Sequence, residues 1–89
     1  MIKKIIKFGA PWCGGCVSAD MALEQLKAMH PEVEIQRIDI EEDEEASAKY
    51  KIKGLPTLVF FGSDGKEQGR HVGRITISEL KNVVEDHGI

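Results

Sequence analysis

Long apolar stretches are missing from this chain: the longest, Leu58-Val59-Phe60-Phe61, falls far short of the ~20 residues that span a bilayer. No membrane association is expected. Cysteine and proline are scarce, at two and three in 89 residues, too few for a disulfide-stapled scaffold or a proline-rich fibrous chain. An excess of basic charge is lacking as well. Twelve Lys+Arg stand against fifteen Asp+Glu, for a net charge of -3, so there is no electrostatic footprint for a phosphate backbone. Nucleic acid is not an expected partner. The N-terminal segment does not read as an export signal, because Lys7 interrupts its apolar residues and no small-residue cleavage site follows. The expected compartment is the cytoplasm, where a lone pair of cysteines points to catalysis or metal binding rather than to a structural staple.

What is present is an ordinary globular mixture, 42% hydrophobic and 30% charged, with room for one small core and none for a second. A single domain over residues 1–89, acting as a monomer, is expected. Ile2, Ile5, Ile6 and Phe8, followed by Gly9-Ala10-Pro11, predict a first strand leading into a loop. From Cys13 the period changes: Cys16, Ala19, Leu23, Leu26 and Met29 recur at helical steps until Pro31. Val33, Ile35, Ile38 and Ile40 alternate with polar residues as in a half-buried second strand. The run from Glu41 to Glu45, ahead of Lys49, Lys51 and Lys53, matches a helix macrodipole and predicts a short second helix rather than a binding patch. Leu58 to Phe61 form a third strand, Gly62-Ser63-Asp64-Gly65 a hairpin turn, and Glu67 to Val72 a fourth. Thr76 and Glu79 have capping-box spacing before Leu80, Val83 and Val84, the buried stripe of a last helix. The order β-α-β-α-β-β-α implies a parallel crossover pair plus a hairpin, hence a mixed four-stranded α/β sheet.

Trp12-Cys13-Gly14-Gly15-Cys16 falls just after the first strand, at the start of the first helix. There the free backbone N–H groups and the helix dipole stabilise a thiolate, so Cys13 is the candidate nucleophile. Cys16 lies about one turn further on, near enough to close a small ring with Cys13, and is the candidate resolving cysteine. Gly14 and Gly15 let backbone N–H groups approach the sulfurs. The competing reading, half of a zinc or iron–sulfur site shared with a second chain, is disfavoured because such a site needs about four ligands and the sequence offers no second CxxC and no histidine near the first.

The segment Phe8-Gly9-Ala10-Pro11-Trp12-Cys13-Gly14-Gly15-Cys16 resembles the active-site segment of the thioredoxin family, with Gly15 where proline is commonest. Lys53-Gly54-Leu55-Pro56-Thr57-Leu58 resembles that family's second motif, in which the proline is cis and faces the cysteines, and Gly73 matches a glycine lining the same groove. The resemblance covers nearly the whole chain. It implies a thioredoxin-like fold with helices on both faces of the sheet, and a protein-disulfide reductase. Trp12, Gly14, Gly15, Leu55, Pro56 and Gly73 would then shape the surface where a substrate disulfide is laid, with backbone groups near Leu55 pairing with an extended substrate chain. It implies no tightly bound cofactor, disulfide-containing proteins as partners, and recharging by a thioredoxin-reductase-type enzyme, an NADPH-linked flavoprotein.

Two departures from the family stand out. The extra N-terminal strand and helix of full thioredoxins are not seen, so the chain is close to glutaredoxins in size. Lys7 stands where the family carries a buried aspartate, and Arg37 where it often has a lysine. Lys7 is therefore open to three readings: it snorkels to water, pairs with Asp20 one turn after Cys16, or tunes the thiols directly. A glutathione-dependent, glutaredoxin-like reductase and a non-catalytic binding module on the same fold are the rival functions. Tyr50, Met21 and Met29 are expected in the core or at its rim, and His30, His71 and His87 on the surface.

Overall fold

The computed structural model describes residues 2–88, with side chains through residue 86. The chain runs β1 (Ile2–Gly9), α1 (Cys16–Met29), β2 (Glu34–Asp39), α2 (Glu44–Lys49), β3 (Thr57–Gly62), β4 (Glu67–Val72) and α3 (Ile77–Gly88). The sheet order is β2-β1-β3-β4. β2 runs parallel to β1, and β3 and β4 are antiparallel to their neighbours. This is the mixed α/β sheet that the element order implies.

Strands β1 and β3 are central and covered on both faces. Ile5, Leu58 and Phe60 face α1 and α3 together with Ala19, Leu23, Leu26, Leu80 and Val84. Ile6, Phe8, Val59 and Phe61 face the opposite side, where Ile38, Ile40, Tyr50 and Leu55 complete a second core. The Tyr50 ring lies 5.4 Å from that of Phe8 and meets Phe61 edge-on at 5.9 Å, an arrangement that aromatic quadrupoles favour. A register shift between Ile2 and Lys4 restores Ile2 to the face of Ile5, although strict alternation would have sent it to the other side. In β2 the apolar residues change faces midway, Ile35 joining the first core and Ile38 the second. That change leaves Arg37 at the sheet edge on the α1 side.

Local chemistry fixes the ends. The Thr76 hydroxyl accepts the Glu79 N–H at 3.1 Å and the Glu79 carboxylate accepts the Thr76 N–H at 3.0 Å, forming the expected capping box. Thr76→Ala is therefore expected to cost about 1 kcal/mol, read as a lowered urea midpoint with unchanged slope. Asp43 caps α2 by accepting the Ala46 N–H at 3.0 Å. In the hairpin, Gly65 takes a positive φ of 79° and donates its N–H to Gly62 O at 3.0 Å.

Two expectations are corrected. Helix α1 starts at Cys16 rather than Cys13, with Gly15 as its N-cap, because two consecutive glycines are poor helix formers. Met29 and Met21 are exposed rather than buried: Met29 lies in the last turn, beyond Leu26, and Met21 sits off the Cys16–Ala19–Leu23–Leu26 stripe. His30 and His71 lie at the surface, partly covered, as expected. His30 lies between Glu32 and Glu85, and a ring nitrogen of His71 is 2.9 Å from Arg74 O. The side chain of His87 is outside the described residues.

Candidate active site

The chain leaves β1 at Gly9 and turns through Ala10–Cys13, the Cys13 N–H reaching back to Ala10 O at 3.1 Å. Cys16 N–H then bonds Cys13 O at 3.3 Å, so one turn joins the two cysteines and runs into α1. Cys13 and Cys16 form a disulfide with a Cα–Cα distance of 5.4 Å. Both are nearly covered, at 9% and 7% exposure, but they face different surroundings. Cys13 lines a cavity of about 340 Å³ together with Trp12, Gly14, Lys53 and Leu55. Cys16 points inward: a Cβ built on Gly9 would stand 2.8 Å from its sulfur.

The Leu55–Pro56 peptide bond is cis. Pro56 lies against the cysteine turn, its Cδ 3.0 Å from where a Cβ on Gly15 would stand. Pro56 O accepts the Gly73 N–H at 2.8 Å, which ties the loop after β4 to the loop before β3. Gly73 has a φ of 101°, a conformation that glycine alone adopts readily. Leu55 N–H and C=O make no hydrogen bond within the described residues, and so remain available to an incoming chain. Trp12 is 64% exposed, and its indole N–H donates to the Glu41 carboxylate at 2.8 Å. Trp12, Gly14 and Leu55 thus line the cavity with Cys13, Pro56 packs against the turn at Gly15, and Gly73 is joined to Pro56.

Lys7, Asp20 and Arg37 gather behind the cysteines. Lys7 does not snorkel: it is 8% exposed, and its ammonium meets Asp20 Oδ1 at 2.8 Å. Arg37 Nε donates to the same oxygen, also at 2.8 Å. Burial pushes the Asp20 carboxyl up, but the hydrogen bonds from Arg37 and Lys7 outweigh it and hold it below its ordinary value of 3.8. A carboxylate lowered in this way contributes stability above its unfolded pKa, and that contribution is lost as pH falls through the lower folded value. Asp20→Asn should therefore flatten the stability–pH profile below about pH 4. Denaturant melts across the acid range would show it.

Sequence reasoning missed three residues. Gly9 makes room for the Cys16 sulfur, Glu41 anchors Trp12, and Arg74 lies over the cysteine turn with its Nη2 3.8 Å from the Cβ position of Gly14. The acidic run places Glu41 in the second helix, but α2 begins only at Glu44. Among the described residues, no group of three or more His, Cys, Asp or Glu side chains is placed to hold a metal ion. No helix among them is long and apolar enough to cross a membrane.

A sequence profile of the Thioredoxin family matches residues 2–86. The chain belongs to the thioredoxin family. It is 36% identical over 83 residues to the thioredoxin of Chlamydia pneumoniae, covering 93% of this chain and 80% of that one. The thioredoxin of Rhodospirillum rubrum is 35% identical over 81 residues, covering 90% of this chain and 77% of that one. The X-ray structure of Fasciola hepatica thioredoxin superposes with a TM-score of 0.84 at 37% identity, over 94% of this chain and 79% of that one. Family, fold and the joined cysteines make the chain a thiol-disulfide oxidoreductase of the protein-disulfide reductase type. Thioredoxin-family reductases need no tightly bound cofactor and take their electrons from a separate reductase.

Proposed function

We propose that Cys13 is the nucleophile and Cys16 the resolving cysteine of a dithiol–disulfide cycle that reduces protein disulfides. The observation that carries this assignment is the difference in surroundings: Cys13 lines the groove beside Trp12 and Leu55, while Cys16 is turned toward Gly9 and Lys7. The Cys13 thiolate attacks one sulfur of the substrate disulfide, and the other leaves as a thiolate that takes up a proton. Cys16, as thiolate, then attacks the Cys13 sulfur and releases the second substrate sulfur. Two electrons and two protons pass from the pair to the substrate, and Cys13 and Cys16 end as the disulfide.

The groove residues orient the substrate. Leu55 offers its free backbone groups to an extended substrate chain, Pro56 packs beside the cysteine turn, Gly73 fixes the neighbouring loop, and Trp12 supplies exposed apolar contact. The chain works as one domain over residues 1–89 and as a monomer in the cytoplasm, recharged by an NADPH-linked flavoprotein reductase. The family likeness supports this recharging route, and the net charge of -3 argues against nucleic acid as a partner.

Reduction of insulin by the dithiothreitol-recharged chain, with and without glutathione, tests the reading. Rapid reduction without glutathione is the expected result. Reduction only when glutathione is present would transfer the chain to the glutaredoxin-like reading. No reduction in either run would leave a binding module.

A further inference from the structure

Lys7 is the only charged side chain buried among the described residues. It projects from the centre of β1 on the side that Ile5 shares with α1 and α3. Taking an ammonium out of water is costly, and an apolar residue of similar volume serves a strand interior at least as well. Stability alone therefore does not account for a lysine here. Its position does suggest a role. Apart from residues 8–10 themselves, the three heavy atoms nearest to where a Cβ on Gly9 would stand are Cys16 Sγ at 2.8 Å, Lys7 Cε at 3.2 Å and Lys7 Nζ at 3.6 Å. The ammonium and the buried sulfur thus flank one point, at which residue 9 places no side chain of its own.

The neighbouring charges leave that cation only partly neutralised. From α1, the single carboxylate of Asp20 is shared between Lys7 and the Arg37 guanidinium of β2. Asp39, paired in register with Gly9 at the end of β2, has its carboxylate turned to the Glu41 N–H at 2.8 Å. Two cations and one shared carboxylate therefore stand behind Cys16, with the lysine on the sulfur's side.

We propose that Lys7 is a positioning residue for the resolving step, its ammonium stabilising Cys16 as the thiolate, so that this sulfur attacks the mixed disulfide without a general base. The proposal rests on the Cys13/Cys16 cycle described above. An opposite charge held close in a partly dry site favours the charged form of its neighbour. The oxidised pair carries no thiolate and gains nothing from the lysine. Lys7 accordingly stabilises the dithiol form and makes the pair a stronger oxidant than the same pair without it. Asp20 opposes this effect by drawing the ammonium toward itself.

Two readouts on the full chain test the proposal: the equilibrium of the Cys13/Cys16 pair with glutathione redox buffers, and the ultraviolet thiolate absorbance of Cys16 against pH in a Cys13→Ser background. Lys7→Met is expected to shift the glutathione equilibrium about tenfold toward the disulfide, about 30 mV for this two-electron couple, and to move Cys16 ionisation to higher pH. Lys7→Arg should keep both properties near wild type. Asp20→Asn should shift both in the opposite direction to Lys7→Met, an effect that loss of packing does not produce. A folded Lys7→Met with both readouts unchanged overturns the proposal. Should Lys7→Met fail to fold, Asp20→Asn decides: a shift toward the dithiol supports the proposal, and no shift or the reverse overturns it. A wild-type chain that does not exchange with glutathione at all would bring down the Cys13/Cys16 cycle itself, and the role of Lys7 with it.

Discussion

Cys13→Ser is expected to lower insulin reduction by ~10³-fold or more, to the background of the added dithiothreitol. A hydroxyl does not ionise at neutral pH and cannot form the mixed disulfide, whereas the rest of the groove is left as it was. Fold and surface should survive, since sulfur and oxygen differ little in size and Cys13 belongs to neither hydrophobic core. Unchanged circular dichroism beside lost activity would assign the effect to chemistry. Substantial residual reduction would mean that Cys16 can open a substrate disulfide by itself, although it points away from the cavity that Cys13 lines.

Gly9→Val should be nearly as damaging, for a different reason. A Cβ at this position would stand 2.8 Å from the Cys16 sulfur and 3.2 Å from Lys7 Cε, and valine adds two methyl groups beyond it. Both neighbours are confined: the sulfur is tied to Cys13, and the lysine is buried and bonded to Asp20. Overpacking of this kind costs ~1–3 kcal/mol. The strain bears directly on the joined cysteines, so loss of reductase activity should accompany the loss of stability. Gly9→Ala should show a smaller version of both effects. Denaturant melts of the oxidised and reduced forms, beside the insulin assay, would check this. A Gly9→Val chain as stable and as active as wild type would show that the two side chains move aside at no cost.

The elements were legible wherever a local signal fixes them. Strand β4 spans the predicted residues because Asp64-Gly65 sets a hairpin turn directly after the apolar run of β3, and the Thr76/Glu79 box marks the start of α3 by its spacing alone. The cysteine motif and the Pro56 loop were legible for the same reason, being short segments whose residue types carry their chemistry. Contacts made across the fold left no such trace. The Lys7–Asp20 pair joins residues 13 apart, and sequence spacing could not choose between that pair and a solvated lysine. Gly9, Glu41 and Arg74 reach the site only because β1, the loop after β2 and the loop after β4 converge there. Periodicity places the start of α1 too early because it does not register that Gly14 and Gly15 delay the helix.

In the proposed cycle Cys13 attacks first and Cys16 resolves. Incubating the reduced Cys16→Ser and Cys13→Ser chains separately with a disulfide-bonded test protein, then resolving the products by mass without reductant, tests it most directly. A stable intermolecular disulfide through Cys13 is expected in the Cys16→Ser chain, and little or none in the Cys13→Ser chain. Trapping that runs mainly through Cys16, in the Cys13→Ser chain, would contradict it.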